Sequence, residues 1–161
     1  MMMTGPITRC AKVCLLAATA FYFTLVVFGN ITDYGANFMF VKHVLEMDTT
    51  YQSPSLMWRS IKSPAAHHFF YWIIILWETV IALLCWVGAA KLYAHRGNAS
   101  AFGGAKAYAI AGVLAGLLLW FFAFITIGGE WFAMWQSSAW TGQAAAFRMF
   151  KIGRASCRER V

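Results

Sequence analysis

The chain has 161 residues, of which 61% are hydrophobic and 12% charged, and its formal net charge is +7. Residues 151–161 contribute four basic residues and one acidic residue, and their sequence resembles the in-frame translation of a sequencing adapter. We therefore expect this tail to be non-native, with a genuine basic tail as the alternative. The remaining charge is +4, which gives nucleic-acid binding little support. The three cysteines outside the tail lie on or beside hydrophobic segments, which excludes the disulfide framework of a small secreted domain.

Three long apolar stretches predict the fold class. Residues 13–32 and 107–129 carry no charge, and residues 69–90 carry only Glu78. A bilayer core about 30 Å thick requires roughly 20 apolar residues of helix, and a backbone inside lipid must satisfy its own hydrogen bonds. The sequence therefore predicts an all-α, polytopic transmembrane helical bundle with short amphipathic interfacial helices.

The bundle is expected to form one domain over residues 1–150. We place its three spans at about residues 12–30, 67–92 and 106–128, from the hydropathy of the chain. Residues 142–150 resemble the beginning of a fourth apolar helix. We expect this fourth span to be truncated where the tail begins.

Positive charges predict the orientation of the spans. The charges are Arg9 and Lys12 before the first span, and Lys91, Arg96 and Lys106 between the second and third. Because positively charged loops stay in the cytoplasm, both regions are expected there, together with the N-terminus. Residues 33–68 and the segment after Gly129 then face outward.

The first outward segment carries a helical pattern. Tyr34, Phe38, Val41 and Leu45 recur along one helical face, and Thr32 or Asp33 can cap that helix. Two Ser-Pro pairs, at residues 53–54 and 63–64, each place a capping side chain before a proline suited to a first helical turn. The second span is therefore expected to begin near Pro64.

The second outward segment is rich in tryptophan. Trp131, Met134 and Trp135 are spaced as on a short interfacial helix, where an indole ring suits the headgroup region. We interpret residues 33–46 and 130–140 as a docking surface. Its predicted members are Tyr34, Phe38, Val41, Glu130, Trp131 and Trp135.

The second span carries a polar stripe. Steps of four and seven residues return to one helical face, and that face reads His67, Tyr71, Glu78, Ala82, Cys85 and Ala89. Glu78 is expected to lie about 15 Å deep, near the membrane midplane. Placing a carboxylate there costs free energy, so Glu78 should face the bundle and have a partner. A structural hydrogen-bonded carboxyl is favoured, and a proton or substrate relay is the alternative.

Candidate partners of Glu78 lie at a similar depth. They are Thr19 and Tyr22 on the first span, and Arg148 at the start of the fourth as an ion-pair partner. Elsewhere, Gly112 and Gly116 are spaced four apart on the third span, which lets helices approach closely. We expect this motif to pack within the bundle, ahead of a dimer seam.

Metal, haem and catalytic chemistry receive less support. A divalent site is conceivable from residues expected on the outward side: Asp33, His43, Glu46, Asp48, His67, His68 and Glu130. However, His67 and His68 are adjacent on a helix and point about 100° apart, so no metal site is predicted. No histidine lies within the three apolar stretches, which disfavours haem. No catalytic arrangement stands out, and we expect neither a cofactor nor enzyme activity.

Several outward-facing segments carry a family resemblance. Residues 30–34 (NITDY), 43–49 (HVLEMDT), 128–136 (GGEWFAMWQ) and 140–143 (WTGQ) resemble a bacterial family of predicted small integral membrane proteins of unknown function. The similarity covers residues 10–150. The resemblance implies a four-span protein of the bacterial inner membrane, and it supplies no catalytic or ligand residues.

These observations predict a small multi-pass inner-membrane protein with a cytoplasmic N-terminus. Its expected role is a non-enzymatic accessory or structural subunit of a membrane complex. Its expected partners are the lipid bilayer and a membrane protein or further copies of itself. The alternative is a small proton-coupled transporter that uses Glu78, since tiny four-span transporters also depend on one buried acid.

Overall fold

The computed structural model describes residues 4–158, with side chains described from residue 5 to residue 151. Within that range the chain is helical and contains no strand. The helices are α1 (Thr4–Thr32), α2 (Tyr34–Glu46), α3 (Pro64–Ala94), α4 (Ala99–Gly104), α5 (Ala107–Leu118) and α6 (Gln143–Arg158). A π-helix (Leu119–Trp131) continues directly from α5, and short 3₁₀ turns occupy Met57–Arg59 and Met134–Gln136.

Three helices are long and apolar enough to cross a membrane. They cover Gly5–Thr32, Pro64–Ala94 and Ala99–Trp131. Each contains one predicted span and extends beyond it, because the ends of a spanning helix continue into the headgroup region. The all-α transmembrane fold is therefore confirmed. α6 begins within a residue of the predicted fourth span and runs past residue 151 without a break; the fourth span and the non-native tail stay predictions.

The chain forms two compact units. Unit 1 comprises Met1–Phe28 and Trp77–Gly116, and unit 2 comprises Gly29–Leu76 and Leu117–Val161. α1 and α3 each contribute residues to both units.

Unit 1 is held by close helix packing. A Cβ atom on Gly88 of α3 would lie 2.8 Å from the backbone nitrogen of Ala109 on α5, and one on Gly112 would lie 2.7 Å from Cys85 Sγ. The helices approach this closely because both positions lack a side chain. The Trp77 indole N–H donates to the Ala115 carbonyl at 3.2 Å and adds a polar contact between the same helices.

The two glycines of the predicted motif therefore differ in how much space surrounds them. A Cβ on Gly116 would meet Phe23 and Ile81 at ordinary contact distances of 3.6 Å and 3.8 Å. Gly112 is a true close-approach position, and Gly88 is a second one, which the four-residue spacing did not reveal. Both sit inside one unit, which agrees with packing within the bundle.

In unit 2, hydrogen bonds join the connection before α3 to the connection after the π-helix. The sequence predicts both connections on the same side of the membrane. Thr49 Oγ1 and Ser137 Oγ are 2.8 Å apart, and the Tyr51 backbone N–H donates to Gln136 Oε1 at 3.0 Å. The Ile61 N–H donates to the Leu45 carbonyl at 2.8 Å, which attaches the loop to the end of α2. These hydrogen bonds give the connections a defined fold, because each one satisfies a group that would otherwise need water.

Three local predictions need correction. Asp33 occupies the position before α2, but its side chain makes no capping hydrogen bond. The Ser53–Pro54 pair leads into a turn and the 3₁₀ segment Met57–Arg59 rather than an α-helix. Residues 131–140 form no α-helix: the chain reaches Trp131 as a π-helix, and Ala133 then adopts a left-handed conformation with φ 52° that ends helical continuity.

The unequal glycines give a prediction. Gly88→Ala or Gly112→Ala should destabilise the bundle by about 1–3 kcal/mol, because a methyl group has no room between α3 and α5. Gly116→Ala should be neutral or slightly stabilising, because the methyl group fits and alanine favours the helix. The temperature at which half of the detergent-solubilised protein loses monodispersity measures the difference. Equal midpoints for the three variants would contradict the packing described above.

Candidate functional site

The predicted stripe on α3 forms a continuous buried face of that helix. The exposed fractions are 1% for His67, 1% for Tyr71, 3% for Glu78, 7% for Ala82, 0% for Cys85 and 5% for Ala89. The opposite face is exposed, as at Trp72, Leu76 and Leu83. Residues that share one face at the 3.6-residue helical period are therefore buried on one side of α3. The other side is exposed and available to lipid.

In unit 2 the stripe begins with two hydrogen-bonded side chains. His67 Nε2 lies 2.7 Å from the Ile61 carbonyl, and the Tyr71 hydroxyl donates to the Asn30 carbonyl at 3.2 Å. His68, the adjacent residue, points elsewhere and pairs with Tyr34 through its Nδ1 at 2.8 Å. The predicted divergence of the two histidines is thus present, because successive helical residues differ by about 100°.

In unit 1 the stripe begins with Glu78. Its side chain is buried near the middle of α3, and Tyr22 lies close enough to interact electrostatically with it. Thr19, the other candidate on α1, instead donates to the Leu15 carbonyl of its own helix at 3.0 Å. Tyr22 is therefore one residue of α1 that lies near the carboxyl group.

Arg148 lies on α6 and its side chain is exposed. Its Nε donates to the Ala144 carbonyl one turn earlier at 3.1 Å. This hydrogen bond holds the guanidinium along its own helix. The ion pair with Glu78 stays a prediction.

The predicted docking face of α2 is largely used inside unit 2. Val41 is 8% exposed, which removes it from any exposed surface. The Phe38 ring stacks on His68 with centroids 4.2 Å apart, and Tyr34 meets Tyr71 edge-on at 4.7 Å. Desolvation raises the pKa of Tyr34, so its hydroxyl stays protonated and can donate to His68. This face of α2 packs against α3 because its aromatic residues repeat at helical spacing.

The connections of unit 2 carry exposed aromatic residues in two pairs, which we call the loop aromatic pairs. Trp58 and Trp131 have ring centroids 5.7 Å apart, and Tyr51 and Trp135 have centroids 6.0 Å apart, both edge-to-face. Their exposed fractions range from 47% for Trp131 to 72% for Tyr51. Sequence reasoning identified Trp131 and Trp135 but missed Tyr51 and Trp58, since residues 51–58 show no helical spacing. Glu130, also predicted here, is exposed.

A cationic side chain lies between one of these pairs. The Arg59 guanidinium carbon is 5.5 Å from the Trp58 ring and 4.9 Å from the Trp131 ring. Its Nη1 donates to the Trp131 carbonyl at 3.4 Å. Cation–π attraction therefore orders both indoles around one guanidinium.

A cluster of ionisable groups lies at the end of α2. His43 Nδ1 is 2.6 Å from Asp48 Oδ2, and His67 Nδ1 is 3.9 Å from Glu46 Oε1. The ring of His43 also stacks on Trp140 at 4.4 Å. Sequence reasoning included these ionisable residues among the conceivable ligands of a divalent site on the outward side, together with Asp33, His68 and Glu130, but predicted no metal there.

Long apolar helices, a buried acid at mid-helix and exposed aromatic residues beside the helix ends define the class of this molecule: an integral membrane protein. Residues 8–157 match the family described as "Predicted small integral membrane protein (DUF2165)". The chain belongs to this family, which confirms the resemblance seen in the sequence. No curated protein and no solved structure matches the chain.

Proposed function

We propose that this protein is a non-enzymatic accessory subunit of a bacterial inner-membrane complex, and that the loop aromatic pairs contact the partner subunit. The observation that carries the proposal is the exposure of four large aromatic side chains on the connections of unit 2. Tryptophan, tyrosine and arginine are the residues most enriched at the energetic centres of protein interfaces. The partner is expected to be another membrane protein.

The geometry of the pairs supports a binding role. Arg59 holds Trp58 and Trp131 in one arrangement, and the Tyr51 backbone is hydrogen-bonded to Gln136 beside Trp135. Ordering a side chain on binding costs about 0.5–1.5 kcal/mol. Side chains that are already held in place lose less freedom when a partner binds, so these pairs are suited to recognition.

Lipid headgroups are the competing explanation for the same residues. Tryptophan and tyrosine are enriched at membrane interfaces without any protein partner. Contact with lipid alone would leave these side chains without a defined protein neighbour. Crosslinking in intact membranes separates the two cases.

We predict a specific crosslink from Tyr51. Replacement of Tyr51 by the photoreactive benzoyl-phenylalanine should give, on illumination of cells, an adduct with one protein species identifiable by mass spectrometry. The reason is that Tyr51 is the most exposed of the four aromatic residues, at 72%. The additional change Trp131→Ala should abolish the adduct.

The matched control is the same photoreactive residue at Leu114 of α5, which is 52% exposed on a candidate span. This position should crosslink to lipid. Lipid adducts alone from Tyr51, or adducts only with a second copy of this chain, would refute an accessory subunit.

We also propose that the N-terminus is cytoplasmic. The support is the distribution of basic residues, and Arg9 Nε donates to the Arg96 carbonyl at 2.7 Å, which brings two of those residues together within unit 1. A membrane-impermeant maleimide should label Ser55→Cys in spheroplasts and Gly97→Cys only after lysis. Cys10 and Cys14 are replaced by serine in this background, because both are exposed. Labelling of Gly97→Cys before lysis would instead indicate the opposite orientation, with the N-terminus outside the cytoplasm.

The burial of Glu78 favours one alternative function, a proton-coupled transporter. An acid at the centre of a spanning helix marks ion pathways in many transporters. The same burial suits a carboxyl group that stabilises the bundle through hydrogen bonds. The two roles predict different effects of replacing Glu78 on thermal stability and on proton transport.

Under the structural role, Glu78→Leu should destabilise the solubilised protein by about 1 kcal/mol, because its hydrogen-bonding partners lose their acceptor. Glu78→Gln should cost less, since an amide retains hydrogen bonds, and the exposed Val80→Leu should have no effect. Thermal unfolding in detergent measures these shifts. Solute-driven proton uptake by proteoliposomes, lost in Glu78→Gln at unchanged thermal stability, would establish the transporter instead.

A further inference from the structure

The end of α2 gathers three side chains that can bind a metal ion. Ligand atoms of His43, Glu46 and Asp48 all lie within 4.8 Å of one another. His43 and Glu46 are three residues apart on one face of α2. Met47 then adopts a left-handed conformation with φ 54°, and this turn brings Asp48 back to within 2.6 Å of His43. The left-handed turn is therefore what completes the cluster.

A fourth side chain approaches the cluster from the start of α3. His67 is 1% exposed, and its Nε2 lies 2.7 Å from the Ile61 carbonyl. A carbonyl oxygen only accepts hydrogen bonds, so Nε2 must carry the proton. The other ring nitrogen, Nδ1, faces Glu46 Oε1 at 3.9 Å, which is too far for a hydrogen bond. A buried nitrogen thus points at a carboxylate without a direct hydrogen bond to it.

This arrangement is the one that metal-binding histidines adopt. Such a histidine usually donates its second ring N–H to a backbone carbonyl or carboxylate, which fixes the ring and leaves the other nitrogen free for the metal. The Ile61 carbonyl provides that contact for His67. His43 is held in another way, by stacking on Trp140 with ring centroids 4.4 Å apart. Both rings are therefore fixed before any ion binds.

A hydrogen bond between His43 and Asp48, without a metal ion, explains fewer of these contacts. It accounts for His43 and Asp48 but does not include His67 Nδ1, which faces Glu46 Oε1 at 3.9 Å. In tetrahedral zinc sites neighbouring ligand atoms lie about 3.4 Å apart, from bond lengths near 2.1 Å. The observed separations of 2.6 Å and 3.9 Å lie on either side of that value. Side-chain shifts of about 1 Å would bring these pairs to the separation of a zinc site.

We propose that His43, Glu46, Asp48 and His67 bind one divalent cation of the zinc class. Two imidazole nitrogens with carboxylate oxygens form a ligand set that suits Zn²⁺ better than Mg²⁺ or Ca²⁺, which prefer oxygen alone. The proposal departs from the sequence-based expectation of no metal. That expectation considered His67 and His68 together, whereas the structure places His67 beside Glu46 of the cluster. A bound ion would fasten α2 to the beginning of α3 within unit 2.

Zinc titration of the purified full-length protein in detergent, in competition with a chromophoric chelator, tests the proposal. We expect one Zn²⁺ per chain. Asp48→Asn and His67→Gln should each weaken binding at least tenfold, as loss of a ligand or of its support does in other sites. His68→Gln is the matched control and should bind as the unaltered protein does, because His68 pairs with Tyr34 outside the cluster.

A second readout separates binding from misfolding. Asp48 is exposed and its replacement by asparagine keeps the shape of the side chain, so far-UV circular dichroism should show an unchanged helix content for that variant. Co²⁺ added in place of Zn²⁺ should produce the visible absorption of a tetrahedral site. Absence of stoichiometric Zn²⁺ binding, or equal affinity for the unaltered protein and Asp48→Asn, would overturn the proposal.

Discussion

The absence of water inside a bilayer is the constraint on which the rest of this structure depends. A backbone amide or carbonyl without a partner in hydrocarbon costs several kcal/mol, so each crossing segment must be a helix. The three candidate spans are helical, apart from a turn at residues 105–106 near the start of the third, and the third ends as a π-helix. Side-chain chemistry is then confined to two places: the buried faces between helices and the connections beyond them.

Helix packing in such an environment cannot depend on the hydrophobic effect, because lipid is as apolar as leucine. The residues of α3 show which other interactions hold the helices together. The buried face of α3 carries polar residues from His67 to Glu78 and small residues from Ala82 to Ala89, where Gly88 admits the backbone of α5. Trp77 adds a hydrogen bond to the Ala115 carbonyl. The other face of α3, with Trp72 and Leu83, remains available to lipid. Of the candidate spans, α3 has the largest buried share, 39% against 17% for the other two.

Local periodicity was sufficient to predict most of this framework. The three spans follow from the hydropathy of single segments, and α2 and the buried face of α3 follow from spacing within single segments, where residues three, four and seven apart share a face. Periodicity could not predict contacts between segments distant in the chain. The closeness of Gly88 to Ala109 and the pairing of Trp58 with Trp131 involve residues whose local sequences carry no sign of each other.

Backbone geometry accounts for the other differences. The sequence gives no indication that the third span becomes π-helical at Leu119, because π-helices have no strong composition of their own. The left-handed conformations of Met47 and Ala133 are equally unexpected, since neither residue is a glycine or asparagine. Ala133 ends the helix at the position where the sequence predicted an interfacial helix, and Met47 brings Asp48 to His43.

The connections of unit 2 are therefore more than links between spans. The turn at Met47 leads directly into residues 49–51, and these bond to Ser137 and Gln136 on the other connection. The same short stretch of chain thus positions the ionisable cluster on one side and the Tyr51–Trp135 pair on the other. A change that alters this turn would disturb both features together. The proposed metal site and the proposed partner surface are, for this reason, physically coupled through residues 47–51, so a metal ion bound at the site would stabilise the surface that a partner would recognise.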